Sequence, residues 1–342
     1  MHFSLNENPL PESKVSLLKK LLFCQNIKIL SQHGGGNSRV YCIDADGKKW
    51  ALKSYPSTKS DKRHRLGAEL LTYQFLNQHQ ISAVPSLNTY TETENWLIME
   101  WIQGEIPSTY YDTDITQAIN FLESIYQLNT HANHLPLASE ACLSLKILLT
   151  QIQHRFDNLY RIADNEPELM AFLVNDFLSL FKFYETTAVN GFLQHHWNID
   201  ETLSETKRSL IPADFGFHNS IRDKNGKLFF FDFDYFGWDD PVKLLADIIW
   251  HPKMCLSQKH REQFIKGLTE IYKDDTFILR FHFTKPLYGL RWVLILLNEF
   301  NPNVWQNRQH AGTYTKDLRE VKNIQLNRAK ELLMRIKGNS YG

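Results

Sequence analysis

Cysteine is scarce in this chain. Cys24, Cys42, Cys142 and Cys255 are the only four in 342 residues, and their scatter forms no metal-binding or disulfide framework. Isolated thiols of this kind fit a reducing compartment. Charge of one sign is missing too. The 38 Lys and Arg balance 38 Asp and Glu, so the formal net charge is zero, which argues against a dedicated nucleic-acid binder. Long apolar runs are absent. The most apolar stretch near the C-terminus, Trp292 to Leu297, falls far short of the roughly 20 residues a membrane helix needs. The start of the chain carries Asn6, Glu7 and Asn8, with no basic region leading into an apolar core, so no signal peptide is evident. There is no G-x-x-x-x-G-K-[ST] phosphate loop, nucleophile elbow, Cys/His metal cluster, internal repeat or low-complexity segment. His131 with His134, and His195 with His196, lack an intervening Glu or a third ligand at a telling spacing, and read as ordinary polar histidines. These absences lead to the expectation of a soluble, cytoplasmic protein with no nucleic-acid or membrane partner.

What is present is enough apolar side chain for a substantial core. The chain is 43% hydrophobic, with 22 Phe, 14 Tyr and 8 Trp. Its length favours two lobes over one, and the change of pattern places them at 1–102 and 103–342. Leucines at helical spacing predict an amphipathic helix over 11–24. Short β-runs follow at Ile27–Leu30, Val40–Ile43, Lys49–Tyr55, Leu87–Tyr90 and Asn95–Trp101, with one helix over about 59–78 between the third and fourth. From Tyr111 the pattern turns helical, with segments near 112–132, 139–163 and 166–194, and later near 241–250, 257–273, 277–300 and 313–337.

One stretch organises the rest. Asp214 is followed five residues on by Asn219, then by a turn at Asn225-Gly226, then by Asp232-Phe-Asp234. Asn-Gly between β-rich runs is a strong hairpin signal. The hairpin returns Asp232 towards Asn219, with Asp214 in the loop just before. Two oxygen ligands and a free carboxylate suit a hard cation and a general base. Upstream, Gly34-Gly35-Gly36 separates the first two β-runs. Three glycines are more often simply a flexible hairpin turn, but they also allow a backbone to approach a phosphate closely. Lys53 ends the run Ala51-Leu52-Lys53, and Glu69 lies on the helix that follows. On its own Lys53 is also what a solvated strand lysine looks like, and Glu69 is also an i,i+4 partner for Arg65.

In this order these pieces resemble the kinase-like phosphotransferases, closest in the branch of aminoglycoside phosphotransferases and choline kinases. There the pattern runs H-G-D-x-x-x-x-N, D-F-[DE]-Y and then a G-x-x-D-P-like helix start, matched here by Asp214 to Asn219, by Asp232-Phe-Asp234-Tyr235 and by Gly237 to Pro241. The likeness covers about residues 27 to 300. It implies an α+β, protein-kinase-like two-lobed fold: a small antiparallel β-sheet lobe with one helix, a large mainly helical lobe, and nucleotide in the cleft between them. It implies ATP-dependent phosphorylation of a hydroxyl on a small molecule, an amino alcohol, a sugar or an aminoglycoside-like compound, a protein hydroxyl not being excluded. Asp214 would take the hydroxyl proton, and Asn219 and Asp232 would hold Mg2+. Gly34, Gly35, Gly36 and Ser38 would cover the phosphates. Lys53 would hold them, fixed by Glu69, and backbone near Glu100 and Ile102 would meet the adenine edge. Asp247 would brace the catalytic loop. One position departs: Pro212 stands where the family has His, so the loop has to be braced differently. That departure supports a second possibility, a non-catalytic pseudokinase-like binding protein, against which the intact Lys53, Asp214, Asn219 and Asp232 set stands. Arg291, Trp292 and Glu299 on a C-terminal helix are either pocket residues or, the simpler case, core packing.

Overall fold

In the computed structural model of the chain, residues 10–34, 38–56, 64–302, 304–305 and 317–338 are described. They divide into two compact units. The first holds the chain up to Pro107 together with Asn219–Tyr235, and the second holds Ser108–His218, Phe236–Trp305 and the final helix.

In the first unit α1 (Glu12–Leu22) precedes a five-stranded antiparallel sheet. Its strands are β1 (Ile27–Gly34), β2 (Arg39–Ala45), β3 (Lys48–Ser54), β4 (Leu87–Thr91) and β5 (Trp96–Glu100), in the order β1-β2-β3-β5-β4. The β2–β3 turn is closed by Asp46 at φ 49 and Gly47 at φ 86, the left-handed pair that a tight hairpin requires. Strand alternation sends Tyr41, Ile43, Leu52, Trp96 and Ile98 into one cluster with Leu18 of α1 and Ile29 of β1. The opposite set, Ala51, Lys53, Leu97 and Met99, is buried as well. The helix α2 (Arg65–Gln78) packs on this sheet, touching β4 and β5. The stretch before it, residues 57–63, with the helix start expected near 59, lies outside the described residues. A second sheet joins β6 (Gly104–Glu105), β8 (Ser220–Asp223) and β9 (Leu228–Phe230).

The second unit is mainly helical. It contains α3 (Asp112–Gln127), α4 (Leu145–Ile162), α5 (Pro167–Ala171), α6 (Leu178–Gln194), α7 (Pro241–Trp250), α8 (Gln258–Ile271), α9 (Phe277–Leu296) and a final helix, Leu318–Gly338. A wide π turn, Phe172–Phe177, carries α5 into α6. Between α6 and α7, β7 (Ser209–Ile211) pairs antiparallel with β10 (Gly237–Asp239). All ten residues of α7 are buried. Asp240 caps this helix by accepting the Val242 N–H at 2.9 Å, and Pro241 fills its first turn, where a missing N–H costs nothing. α9 packs against α4, α6, α7 and the final helix, and so forms the centre of this unit. The expected start of the final helix near 313 also lies outside the described residues. No helix among the described residues is long and apolar enough to cross a membrane.

Candidate active site

Lys53 sits next to the end of β3 with only 6% of its surface exposed. An ammonium that deep needs paired charge. Its Nζ lies 2.5 Å from Glu69 Oε2 on α2 and 2.5 Å from Asp232 Oδ1 beyond β9. Burial alone would lower the pKa of Lys53. The charges of Asp232 and Glu69 outweigh burial, and the net shift is upward, so the ammonium stays charged. Glu69 is completely buried and fully engaged. Its Oε2 also accepts the Tyr55 hydroxyl at 2.5 Å, and its Oε1 accepts the Phe233 N–H at 3.3 Å. Tyr55 lies two residues past Lys53, a spacing that would have flagged it on the strand alternation.

The hairpin expected at Asn225-Gly226 is present as β8 and β9. Asp223 Oδ1 accepts the N–H groups of Asn225 and Lys227 at 2.8 and 2.9 Å, and Gly226 takes φ 82. Phe231 N–H donates to the carbonyl of Asn219 at 3.0 Å, which holds Asn219 beside the start of the Asp232 segment. Asp232 adopts φ 71 and Asp214 adopts φ 63. The left-handed region is uncommon for side chains with a Cβ, and such outliers gather where function needs a fixed geometry. Asp234, part of the matched motif but given no role of its own by the sequence, pairs with Arg65 Nη1 and is buried. Burial first, then the Asp232 charge, push its carboxyl up to about 7. Arg65 therefore serves Asp234 and Tyr235, whose hydroxyl is 3.2 Å away, rather than forming an i,i+4 pair with Glu69.

The remaining positions are more spread. Gly34 pairs with Arg39 at the end of the β1–β2 ladder, Ser38 is half-buried just before β2, and Gly35 and Gly36 lie outside the described residues. Glu100 closes the β3–β5 pairing opposite Trp50, and its N–H donates to the Ser86 carbonyl at 2.9 Å. Ile102 is buried past the end of that strand. Arg291 and Glu299 are buried at 4% and 1% exposure, and Arg291 pairs with Glu140 at 2.7 Å and lies 3.7 Å from Asp247.

Asp214 belongs to the second unit, in the turn after β7. Its Oδ1 is 3.2 Å from His251 Nε2 and 3.5 Å from His218 Nε2. Burial would raise the carboxyl pKa, but the two imidazoles outweigh it and hold Asp214 far below the usual carboxylate range. His218 and His251 stack with ring centroids 4.1 Å apart and planes 11° apart. Asp214, His218 and His251 are close enough to share a metal ion. The ring geometry opposes that role: lone pairs lie in the ring planes, and two nearly parallel planes do not converge on one ion. Gly216 makes room for this arrangement, since a Cβ there would lie 2.7 Å from His218 Nδ1. The histidines were not legible as site residues. The available signal was Asp247 and His251 at i,i+4.

A small unit with an antiparallel five-stranded sheet and a paired lysine, followed by a mainly helical unit, defines the protein-kinase-like fold. The chain belongs to the phosphotransferase enzyme family, whose model matches residues 29–282. Solved structures agree on the fold. A choline kinase from Cryptosporidium parvum Iowa II superposes with a TM-score of 0.60 at 12% identity, covering 96% of this chain and 97% of that one. The choline kinase LicA from Streptococcus pneumoniae gives 0.56 at 12% identity, covering 95% and 99%. The ADP-bound aminoglycoside phosphotransferase APH(2'')-Ib gives 0.55 at 16% identity, covering 95% and 97%. A search of curated proteins finds no match. The chain is thus a kinase, a phosphotransferase.

Proposed function

We propose that the protein transfers the γ-phosphoryl group of ATP to a hydroxyl of an amino alcohol, sugar or aminoglycoside-like compound. The observation that carries this is Lys53, buried and clamped between Glu69 and Asp232. Such burial of an ammonium is costly and is hard to account for as packing. The neighbours' bound nucleotides support the same reading: ADP in the aminoglycoside phosphotransferase and AMP in LicA.

The residues fit a hard divalent cation. Among the described residues, Glu69, Asp232 and Asp234 pair with two cations, Lys53 and Arg65, and burial and then the charge of Asp232 push the Asp234 carboxyl up, so the cluster is short of positive charge. Asp232 is the outward member, with 37% of its side chain exposed against none for Glu69. Asn219 and Asp232 would hold Mg2+, which when bound neutralises charge on the phosphate oxygens. Lys53 neutralises phosphate charge, and Glu69 fixes the direction in which Lys53 points. Gly34, Gly35, Gly36 and Ser38 cover the phosphates, and the backbone around Glu100 and Ile102 meets the adenine. Asp214 accepts the proton of the attacking hydroxyl. The acceptor oxygen bonds to the γ-phosphorus, the bond to the bridging oxygen breaks, and ADP leaves. Most of the rate gain comes from positioning and fixed charge. The four cysteines are free, which supports a reducing, cytoplasmic setting.

Single-turnover transfer from labelled ATP to a panel of hydroxyl compounds tests this. Asp214→Asn is expected to keep nucleotide binding and to slow transfer by about 10²-fold or more. Equal turnover in the two proteins would remove Asp214 from the chemistry.

A further inference from the structure

Pro212 leaves Asp214 without the histidine that the family places two residues ahead of it, and something else must hold this carboxylate. We propose that His251, from the C-terminal end of α7, is the positioning residue for Asp214, donating one N–H to the carboxylate and so fixing its orientation. The proposal rests on the catalytic reading of Asp214 and deepens it.

The ring's tautomer follows from its surroundings. His251 Nδ1 accepts the Lys253 N–H at 3.1 Å, and an accepting nitrogen carries no proton. The proton of the neutral ring is therefore on Nε2, the atom 3.2 Å from Asp214 Oδ1. The backbone is held as tightly. His251 N–H donates to the Asp247 carbonyl at 2.8 Å, and its own carbonyl accepts the Met254 N–H at 2.9 Å. The ring cannot swing freely. His218 stacks on it at 4.1 Å, and Trp292 meets it edge-on at 4.4 Å. Trp292 is itself tied down, its Nε1–H donating to Asp247 Oδ1 at 2.7 Å. Asp247 thus acts on Asp214 through two aromatic rings and a backbone bond. His218 is a poorer brace by distance. Its Nε2 is 3.5 Å from Asp214 Oδ1, and among the described residues neither of its nitrogens makes a hydrogen bond of good geometry, so it acts on Asp214 through charge. It also closes the face of the His251 ring.

The cost of holding Asp214 at φ 63 explains why a brace is needed. A residue in that region persists only where its surroundings over-determine it. A general base misplaced by a fraction of an ångström loses much of its rate advantage.

The test uses the full chain and an acceptor from the panel. His251→Phe keeps the aromatic packing and removes the donor, whereas His251→Gln restores an N–H at about the distance of Nε2. The Phe variant is expected to lose about 10- to 100-fold in kcat with KM for ATP unchanged, and the Gln variant to regain most of it. Asp214→Asn with His251→Phe should be no slower than Asp214→Asn alone. A Phe variant with wild-type kcat, or a double variant showing the product of the single losses, overturns the proposal. If Asp214→Asn itself is fully active, the catalytic reading fails instead. Histidine ¹⁵N NMR on the unsubstituted protein needs no variant to fold. His251 should show a protonated Nε2 and a bare Nδ1, with an Nε2–H signal that moves in Asp214→Asn. A proton on Nδ1 would also overturn the proposal.

Discussion

Lys53 has two carboxylate partners, and this decides how its variants should behave. Lys53→Ala leaves Glu69 with the Tyr55 hydroxyl and the Phe233 amide as donors but without its counter-charge, so the variant should also be less stable, and its folding is checked by circular dichroism before nucleotide is titrated. Nucleotide use should fall strongly. Glu69→Ala leaves the ammonium paired with Asp232 alone, 2.5 Å away. That draws both groups towards each other, so the loss should be real but smaller. The double variant should be little worse than Lys53→Ala, because the residues act as a unit. Additive losses in nucleotide affinity, measured by titration calorimetry, would refute the coupling. The Lys53–Glu69 pairing was legible because both lie on neighbouring elements in a familiar order. The partner of Arg65 was not. Its neighbour Glu69 was the obvious choice by spacing, yet it bonds Asp234, 169 residues away. Local spacing cannot reveal a contact closed by a distant hairpin.

At the scale of elements, the hairpin was legible because Asn225-Gly226 has a backbone requirement few other pairs meet. The π turn at Phe172–Phe177 was not, since its apolar residues fit an ordinary helix equally well. The join between β10 and α7 carries a pH-dependent contribution that sequence also concealed. Asp239 is completely buried. Burial raises its carboxyl from 3.8 to about 6, against the pull of Lys243 at 3.5 Å and amide hydrogen bonds from Cys142 and Asp240 at 2.7 and 2.8 Å. A carboxyl raised on folding binds more protons in the native state. Its contribution to stability is present below pH 3.8 and is lost as the pH rises through about 6. The full loss is on the order of 3 kcal/mol. Asp239→Asn removes the titration and keeps an oxygen to accept both amides. Between about pH 4 and 7 the melting temperature of the wild type should therefore fall relative to that of the variant. Parallel curves over that range would show that Asp239 does not titrate there.

For the whole molecule, nucleotide binding should appear as stability. A ligand bound only by the folded state adds RT ln(1 + [L]/Kd), about 2.7 kcal/mol at a hundredfold excess over Kd. ATP without metal should give a small thermal shift, carried by Lys53. Mg2+ with ATP should give a larger one, because the surplus carboxylate charge around Asp232 repels free phosphate oxygens until a cation lies between them. Asp232→Ala separates the two parts. It removes one partner of Lys53 and leaves Glu69 2.5 Å away, so the ammonium remains paired and the fold intact. It also lowers the local negative charge, so ATP alone should bind the variant no worse than the wild type. The increment due to Mg2+ should vanish. A variant that keeps this increment takes Asp232 out of the metal site. A variant that loses the ATP shift as well would mean that Asp232 is needed to hold Lys53 in place.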